Sequence, residues 1–276
     1  MSNTQKESEA KKYISKVIDQ MALADSDLKT VIQANISDLI DECLPYKKLG
    51  KSFQFNDNSN LSKSIDEVLQ KLRKDIFNFI YIRSLNVDAL AREKENDNST
   101  DDKFLLAFLS LKIAGLTLDM RIDKFVNNIR GEVEAYIAAG FAKGLTKNQI
   151  LSEYINWIKT PFSSPLIINA FREVGFKAER IVSKGVTFGV GKYVSGFNSL
   201  KRVQQDQIFR AYNHTLQDIW GRDRNYIGWY TIRGSSYQCG YCDEQVGRFH
   251  PKEESFGGYH VRCCCIMIPL YKNDVL

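Results

Sequence analysis

The chain has 276 residues, 43% hydrophobic and 26% charged, which suffices for one large domain or two modest ones and excludes a chain that is disordered, collagen-like or coiled coil throughout. The net charge is only +5, but residues 1–138 hold 20 Lys/Arg against 22 Asp/Glu while residues 139–276 hold 18 against 11. That basic second half can meet DNA or another acidic surface, although charge alone is equally satisfied by a solvated face without a partner.

The opening MSNTQKESEAKKY is polar and has no apolar core, so a secretory leader is not expected, and structural disulfides are not expected either. Apolar residues at three- and four-residue spacing, Val31, Leu39 and Ile40 among them, predict helices over 8–24 and 27–44, the second stopped by Pro45. GKSFQFNDNSN predicts a loop, because Asn, Asp and Ser side chains compete for the backbone. The stripe Ile65, Val68, Leu69, Leu72, Ile76, Phe79 and Ile80 predicts a helix over 62–95, and ENDNSTDD a second break.

One long helix is expected over 103–142. Its apolar stretch from Phe104 to Leu118 is interrupted by Lys112 and falls short of the ~20 residues that span a bilayer. Gly144 suits the helix end, and Thr146 with Gln149 forms a capping box for a helix carrying Ile150, Tyr154, Ile155 and Trp157. Residues 165–181 read as a further helix weakened by Gly175. The Gly- and aromatic-rich segment from Gly185 to Ser199 reads as either helix or loop. Over 200–221, Val203, Ile208, Tyr212, Leu216 and Trp220 share one helical face. After Arg224 the character changes: Ile227, Trp229, Tyr230, Thr231 and Ile232 favour a strand, Gly-Ser-Ser turns the chain, and Ile266, Met267, Ile268 and Leu270 form a closing strand.

The expected fold is therefore α+β, a mostly helical body with a small C-terminal β-hairpin Cys/His module of zinc-ribbon type. Its expected divisions are a helical region over 1–100, a helical body over 101–224 and the module over 225–276.

Five of the six cysteines, Cys239, Cys242, Cys263, Cys264 and Cys265, fall within 27 positions. Cys239 and Cys242 form a C-x-x-C, and His260 with Cys263 an H-x-x-C. Two such chelating pairs make a four-coordinate tetrahedral site of the kind zinc prefers, with no open position for water and hence a structural role. On a strand Cys263 and Cys265 point one way and Cys264 the other, so Cys265 rivals His260 as the fourth ligand and Cys264 reads as a packed small residue. His250 is a weaker competitor, set beside Pro251 in a polar loop. The module is poor in large aliphatic residues, and a structural zinc ion supplies roughly 10–16 kcal/mol in small modules. A disulfide pair or buried free thiols are the alternatives.

An ordered series of motifs accompanies these ligands: GFAKGLTKNQI, then QQDQIFRAYNHTLQDIW, then Trp229, the C-x-x-C, Gly247, the H-x-x-C-x-C ending and Pro269. In order and spacing this series, over about residues 135–270, resembles the Mu F-like head-morphogenesis family of tailed phages. The chain departs from that pattern at Gln205-Asp206, at Val261-Arg262 and in the extra Cys264. The resemblance implies a minor head (capsid) protein acting in head assembly, with portal and capsid subunits as partners. It implies a place in the virion head and in the host cytoplasm during assembly. The basic half is compatible with packaged DNA. Neither a membrane nor a small-molecule substrate is implied, and no catalytic residue is assigned.

The alternative function is a zinc-containing His-Asn-His-type nuclease, for which His250, His260, Asn213 and His214 are the available residues. It would need a helix after the last cysteine, and none of useful length is predicted. A groove-reading finger is disfavoured by Asp243, Glu244, Glu253 and Glu254 between the ligand pairs. No G-x-x-x-x-G-K-[ST] loop and no deaminase H-x-E signature occur.

Overall fold

The computed structural model describes residues 3–48, 53–99, 102–113, 115–174, 194–236, 238–260 and 263–274. It is mostly helical with one small antiparallel sheet near the C-terminus, an α+β fold. The helices are α1 (Asn3–Cys43), α2 (Ser59–Glu95), α3 (Asp102–Leu109), α4 (Leu118–Ala142), α5 (Lys147–Asn156), α6 (Pro165–Val174), α7 (Gly196–Gly221) and the short α8 (Gly240–Gln245). The strands are β1 (Tyr226–Ile232), β2 (His250–Pro251) and β3 (Ile266–Tyr271), in the order β2-β1-β3.

The chain forms two compact units drawn from non-consecutive stretches. One holds Met1–Ser26, Asn78–Leu118 and Arg202–Leu276, the other Asp27–Phe77 and Asp119–Lys201. Helix α1 buries Ala10, Ile14, Val17, Met21, Ala24 and Leu28, an alternation of four and three residues that keeps one stripe inward. Helix α2 buries Leu61, Ile65, Leu69, Leu72 and Ile76 in the same way. In the first unit α1 and α2 run antiparallel, with Tyr13 donating to Glu93 at 3.0 Å and Arg83 to Gln20 at 3.0 Å. In the second unit they do so through Asn35 and Asp75, also at 3.0 Å, and through the Lys71–Asp38 ion pair.

Two helix expectations are corrected. Helices over 8–24 and 27–44 are one continuous α1, because the Asp25 carboxylate is held by Gln204 at 2.8 Å and Gln205 at 3.1 Å, so it does not compete for its own backbone. The single helix expected over 103–142 is broken between α3 and α4. There Ser110 donates its hydroxyl to the Ala107 carbonyl at 2.6 Å, Ile113 and Leu116 exchange two backbone bonds, and Gly115 takes φ 81°, a conformation no helix accepts. The Thr146–Gln149 capping box is present at the start of α5. The expected helix over 165–181 is present as α6 to Val174, and the rest of it, with residues 185–193, lies outside the described residues. Gly196–Ser199 open α7. No helix among the described residues is long and apolar enough to cross a membrane.

The second unit is built on a buried carboxylate. Glu132 is fully buried on α4, accepting from the Gly196 backbone N–H at 2.7 Å and the Tyr154 hydroxyl at 3.2 Å. The bond to Gly196 satisfies one of the N–H groups left without a helical partner at the N-terminus of α7. Tyr136 packs edge-on to Tyr154 at 5.3 Å and donates to the Pro161 carbonyl at 2.7 Å.

In the first unit, the C-terminal part is strapped to α7. Gln217 accepts from the Phe256 N–H at 3.0 Å and donates to the Glu254 carbonyl at 2.8 Å, which also receives the Trp229 indole N–H at 3.1 Å. Arg210, paired with Asp206 at 2.9 Å, lies flat against Gly257, where a Cβ would stand 2.1 Å from its guanidinium. On the other side Tyr230 donates to Glu7 at 3.1 Å and Lys6 pairs with Asp274 at 2.8 Å.

Close packing in the second unit yields a direct test. A Cβ on Gly140 would stand 2.4 Å from Cγ1 of the fully buried Ile150. Gly140→Ala is expected to lower stability by about 1–3 kcal/mol despite its better helix propensity. Gly140→Ala with Ile150→Val is expected to recover part of the loss. Urea unfolding followed by far-UV circular dichroism reads both, and an unchanged midpoint in Gly140→Ala would show that the two helices are not in close contact.

Candidate metal centre

The expected hairpin is a three-stranded sheet. Strand β1 pairs antiparallel with β3 through Tyr230↔Ile268, Thr231↔Met267 and Ile232↔Ile266, and with β2 through Trp229↔His250. The register shifts between Tyr226 and Gly228, so β1 carries a bulge. Gly234 follows β1 and runs against the Cys264 carbonyl, where a Cβ would stand 1.8 Å away, so only glycine fits this turn.

The turn delivers the chain to Cys239, the N-cap of α8, with Cys242 one helical turn on. This local helix was not expected from the sequence, and it makes the C-x-x-C a chelating pair: Asp243 N–H bonds the Cys239 carbonyl at 2.9 Å, holding both sulfurs on one side. Gly247, at φ 78°, ends the segment and donates its N–H to the Thr231 carbonyl of β1 at 2.9 Å. On the far side a turn closed by Cys263 N–H to the His260 carbonyl at 2.9 Å brings in the second pair.

Two overlapping groups of ligand atoms result: Cys239, Cys242 and His260, and Cys242, Cys263 and Cys265, each within 4.8 Å of one another. The Cys242 sulfur is 3.1 Å from His260 Nε2 and 3.9 Å from the Cys263 sulfur, and the Cys239 sulfur is 3.3 Å from the same imidazole nitrogen. Two sulfurs bound to one tetrahedral ion at about 2.3 Å stand about 3.8 Å apart, so the Cys242–Cys263 separation fits a shared ion. All five residues expected from the sequence therefore meet in one cluster that could hold a metal ion. Cys264 belongs to neither group, but not through strand alternation: β3 begins at Ile266, so the three cysteines precede the strand that was expected to carry them.

All six cysteines are free thiols, and Cys242, Cys263 and Cys265 are buried. A hydrogen bond from Cys265, aided by bonds from the Cys265 and Tyr259 backbones, pulls the Cys263 thiol down to about 5 against the cost of burial. Burial and the neighbouring sulfurs push Cys242 up to about 11, and Cys265, donating to Cys263, is pushed up further. Negative charge is thus favoured on Cys263, and also on Cys239, whose thiol is lowered by hydrogen bonds from Cys242, while Cys242 and Cys265 hold their protons more tightly. A divalent cation at the centre would let several deprotonate together, because it replaces sulfur–sulfur repulsion with attraction.

His250 is not in the cluster. Its ring stacks on Trp229 at 4.0 Å and 9°, Nδ1 lies 2.9 Å from Glu254, and Nε2 lies 3.4 Å from the Tyr259 hydroxyl, which in turn meets Thr231 at 2.8 Å. The residues named for a nuclease have separate engagements. Asn213 is buried and donates to the Phe209 carbonyl at 3.0 Å, and His214 stacks on Phe108 at 4.7 Å. Sequence reasoning missed Arg233, whose guanidinium stands 3.4 Å from Asp243. Partial burial opposes its charge, but Asp243 and the thiols of Cys265 and Cys242 hold it above its usual value. Its signal was an arginine immediately before the Gly-Ser-Ser turn.

Comparison of the chain with protein-family models, with curated proteins and with solved structures finds no match.

Because Cys242 belongs to both groups, Cys242→Ser is expected to abolish the thiolate-to-cobalt absorption in a Co2+ titration, while Cys264→Ser retains it. Equal retention by both would remove the shared centre. A second expectation concerns His214, whose imidazole burial holds below its usual value, with Asp218 partly opposing this. The unfolded chain then takes up the proton first, so stability falls as pH drops through about 6.5 and levels off below the folded-state value. Thermal melts of His214→Gln should show a smaller drop than the parent over that window, and parallel curves would show that His214 is solvated in the folded protein.

Proposed function

We propose that the chain is a minor head protein of a tailed phage. It acts in head morphogenesis through contacts with portal and capsid subunits, and a zinc ion in the Cys/His cluster has a structural role. The observation that carries this reading is the ordered series Trp229, Cys239-x-x-Cys242, Gly247, His260-x-x-Cys263-x-Cys265 and Pro269. Its members take positions that suit such a role: Trp229 and Pro269 face each other in the sheet register, Gly247 bonds β1, and the ligands converge. The donor set is soft, three or four sulfurs with one imidazole, which suits zinc and leaves no position for substrate. On this reading the protein turns over nothing, resides in the host cytoplasm during assembly and then in the virion head, and can meet packaged DNA with its basic half.

Elemental mass spectrometry of the purified chain is expected to find one zinc per chain. In a Cys239→Ser/Cys242→Ser double variant both the zinc and the cooperative unfolding of the C-terminal region should be lost. Purified particles from the producing strain are expected to contain the protein in their heads, and deletion of its gene to block DNA-filled heads. Zinc bound by a protein absent from particles, with heads forming normally without it, would retain the structural centre and overturn the phage role.

A further inference from the structure

A shallow groove of about 350 Å³ lies on the first unit, lined by Lys11, Ile14, Ser15 and Ile18 from α1 and by Arg233, Gly234, Ser235 and Ser236 from the turn after β1. The four α1 residues fall at the three- and four-residue steps that put side chains on one helix face. No carboxylate lines the groove, in a chain with 33 Asp and Glu. Lys11 is exposed and has no ion-pair partner among the described residues. Nor do the hydroxyls of Ser15, Ser235 and Ser236, or the backbone N–H groups of Ser235 and Ser236, have hydrogen-bond partners among them. Arg233 contributes a second cation, oriented by Asp243, whose carboxylate is 3.4 Å from its Nε. At Gly234 the turn runs close against the Cys264 carbonyl.

Backbone N–H groups and hydroxyls without partners, set beside two cations in one groove, offer an anion charge-assisted hydrogen-bond donors. We propose that this groove binds a phosphate group, with the Ser235–Ser236 backbone and hydroxyls cradling its oxygens and Lys11 and Arg233 balancing its charge. Ile14 and Ile18 form an apolar wall beside the cradle, suited to the sugar or other carbon skeleton that bears the phosphate. The inference rests on the groove alone and is independent of the assembly role. The phosphate has two sources in this chemistry, a small phosphorylated molecule or the phosphodiester backbone of nucleic acid.

The test uses the purified full chain. Titration with inorganic phosphate, followed by amide NMR, is expected to move the Gly234, Ser235 and Ser236 signals saturably, with sulfate as a weaker competitor and chloride without effect. Anisotropy of a labelled DNA duplex is then compared between the parent and a Lys11→Ala/Ser235→Ala/Ser236→Ala variant whose zinc content and melting temperature match it. Loss of a charge-assisted hydrogen bond should weaken phosphate binding by about tenfold or more in the variant. If duplex binding weakens with it and its salt dependence flattens by about one unit for the lost lysine, the phosphate is that of nucleic acid. If phosphate binding weakens and duplex binding does not, the ligand is a small phosphorylated molecule. Phosphate that moves no signal in the 234–236 segment of the parent protein, or that binds parent and variant equally, would overturn the proposal.

Discussion

The sulfur of Cys242 is the point on which the C-terminal part of this protein depends. It stands within 4 Å of both His260 Nε2 and the Cys263 sulfur, and it is the one ligand shared by the two groups of donors. Such crowding of soft donors is unfavourable if they ionise without a cation, because each added thiolate repels the others at short range in a poorly solvated place. The hydrogen bond from Cys265 lowers the Cys263 thiol and raises that of Cys265, and bonds from Cys242 lower that of Cys239. Every element around the cluster keeps the donors close in spite of that cost: the α8 turn, the Gly247 bond to β1, and the turn from His260 to Cys263.

The brace for this arrangement is α7. Several polar residues between Gln204 and Trp220 make tertiary contacts. Gln204 and Gln205 hold Asp25, Asp206 orients Arg210 against Gly257, Thr215 donates to Asp88 at 2.6 Å, and Gln217 clamps the 254–256 segment. Arg92 completes the frame, with only 6% of its surface exposed and with bonds to Asp88, Asp97 and Ser99. A buried cation of this kind holds its partners in place because its desolvation is offset only while all of its hydrogen bonds are made. The Cys/His cluster is therefore joined to α7 through the 254–257 segment, and a metal ion there would stabilise the surrounding sheet and the contacts of that sheet with α1 and α7 together.

Serial reading placed the C-terminal segment apart as a small module needing a metal for want of aliphatic residues. In the fold its apolar surface is covered by larger neighbours. Phe256 packs between Phe209 of α7, at 6.2 Å, and Trp229 of β1, at 5.0 Å, while Trp220 meets Tyr226 at 6.0 Å. Trp220, expected on the shared helix face, and Trp229, expected in the strand, are among the aromatic residues that join sheet to helix.

Much of this was determined by the sequence alone. Three- and four-residue spacing of apolar side chains set α1, α2 and α7, since burial of one face is a local property of the pattern. The Thr146–Gln149 cap and the strand at Trp229 were legible for the same reason. The five donors were legible from their spacing, because chelation by two short pairs requires little beyond neighbouring positions. What only the tertiary structure decided depends on groups far apart in the chain. Asp25 stays within one helix because Gln204 and Gln205, some 180 positions away, take its carboxylate. Gly115 breaks the next helix through a turn whose strength no propensity reports. His250, a weaker rival ligand on sequence grounds, is withdrawn by stacking on Trp229, and Arg233 is brought beside the sulfurs by the approach of Gly234 to Cys264. Local pattern sets which elements form and which residue types sit together, whereas the choice among competing partners is made by distance, which exists only once the chain has folded.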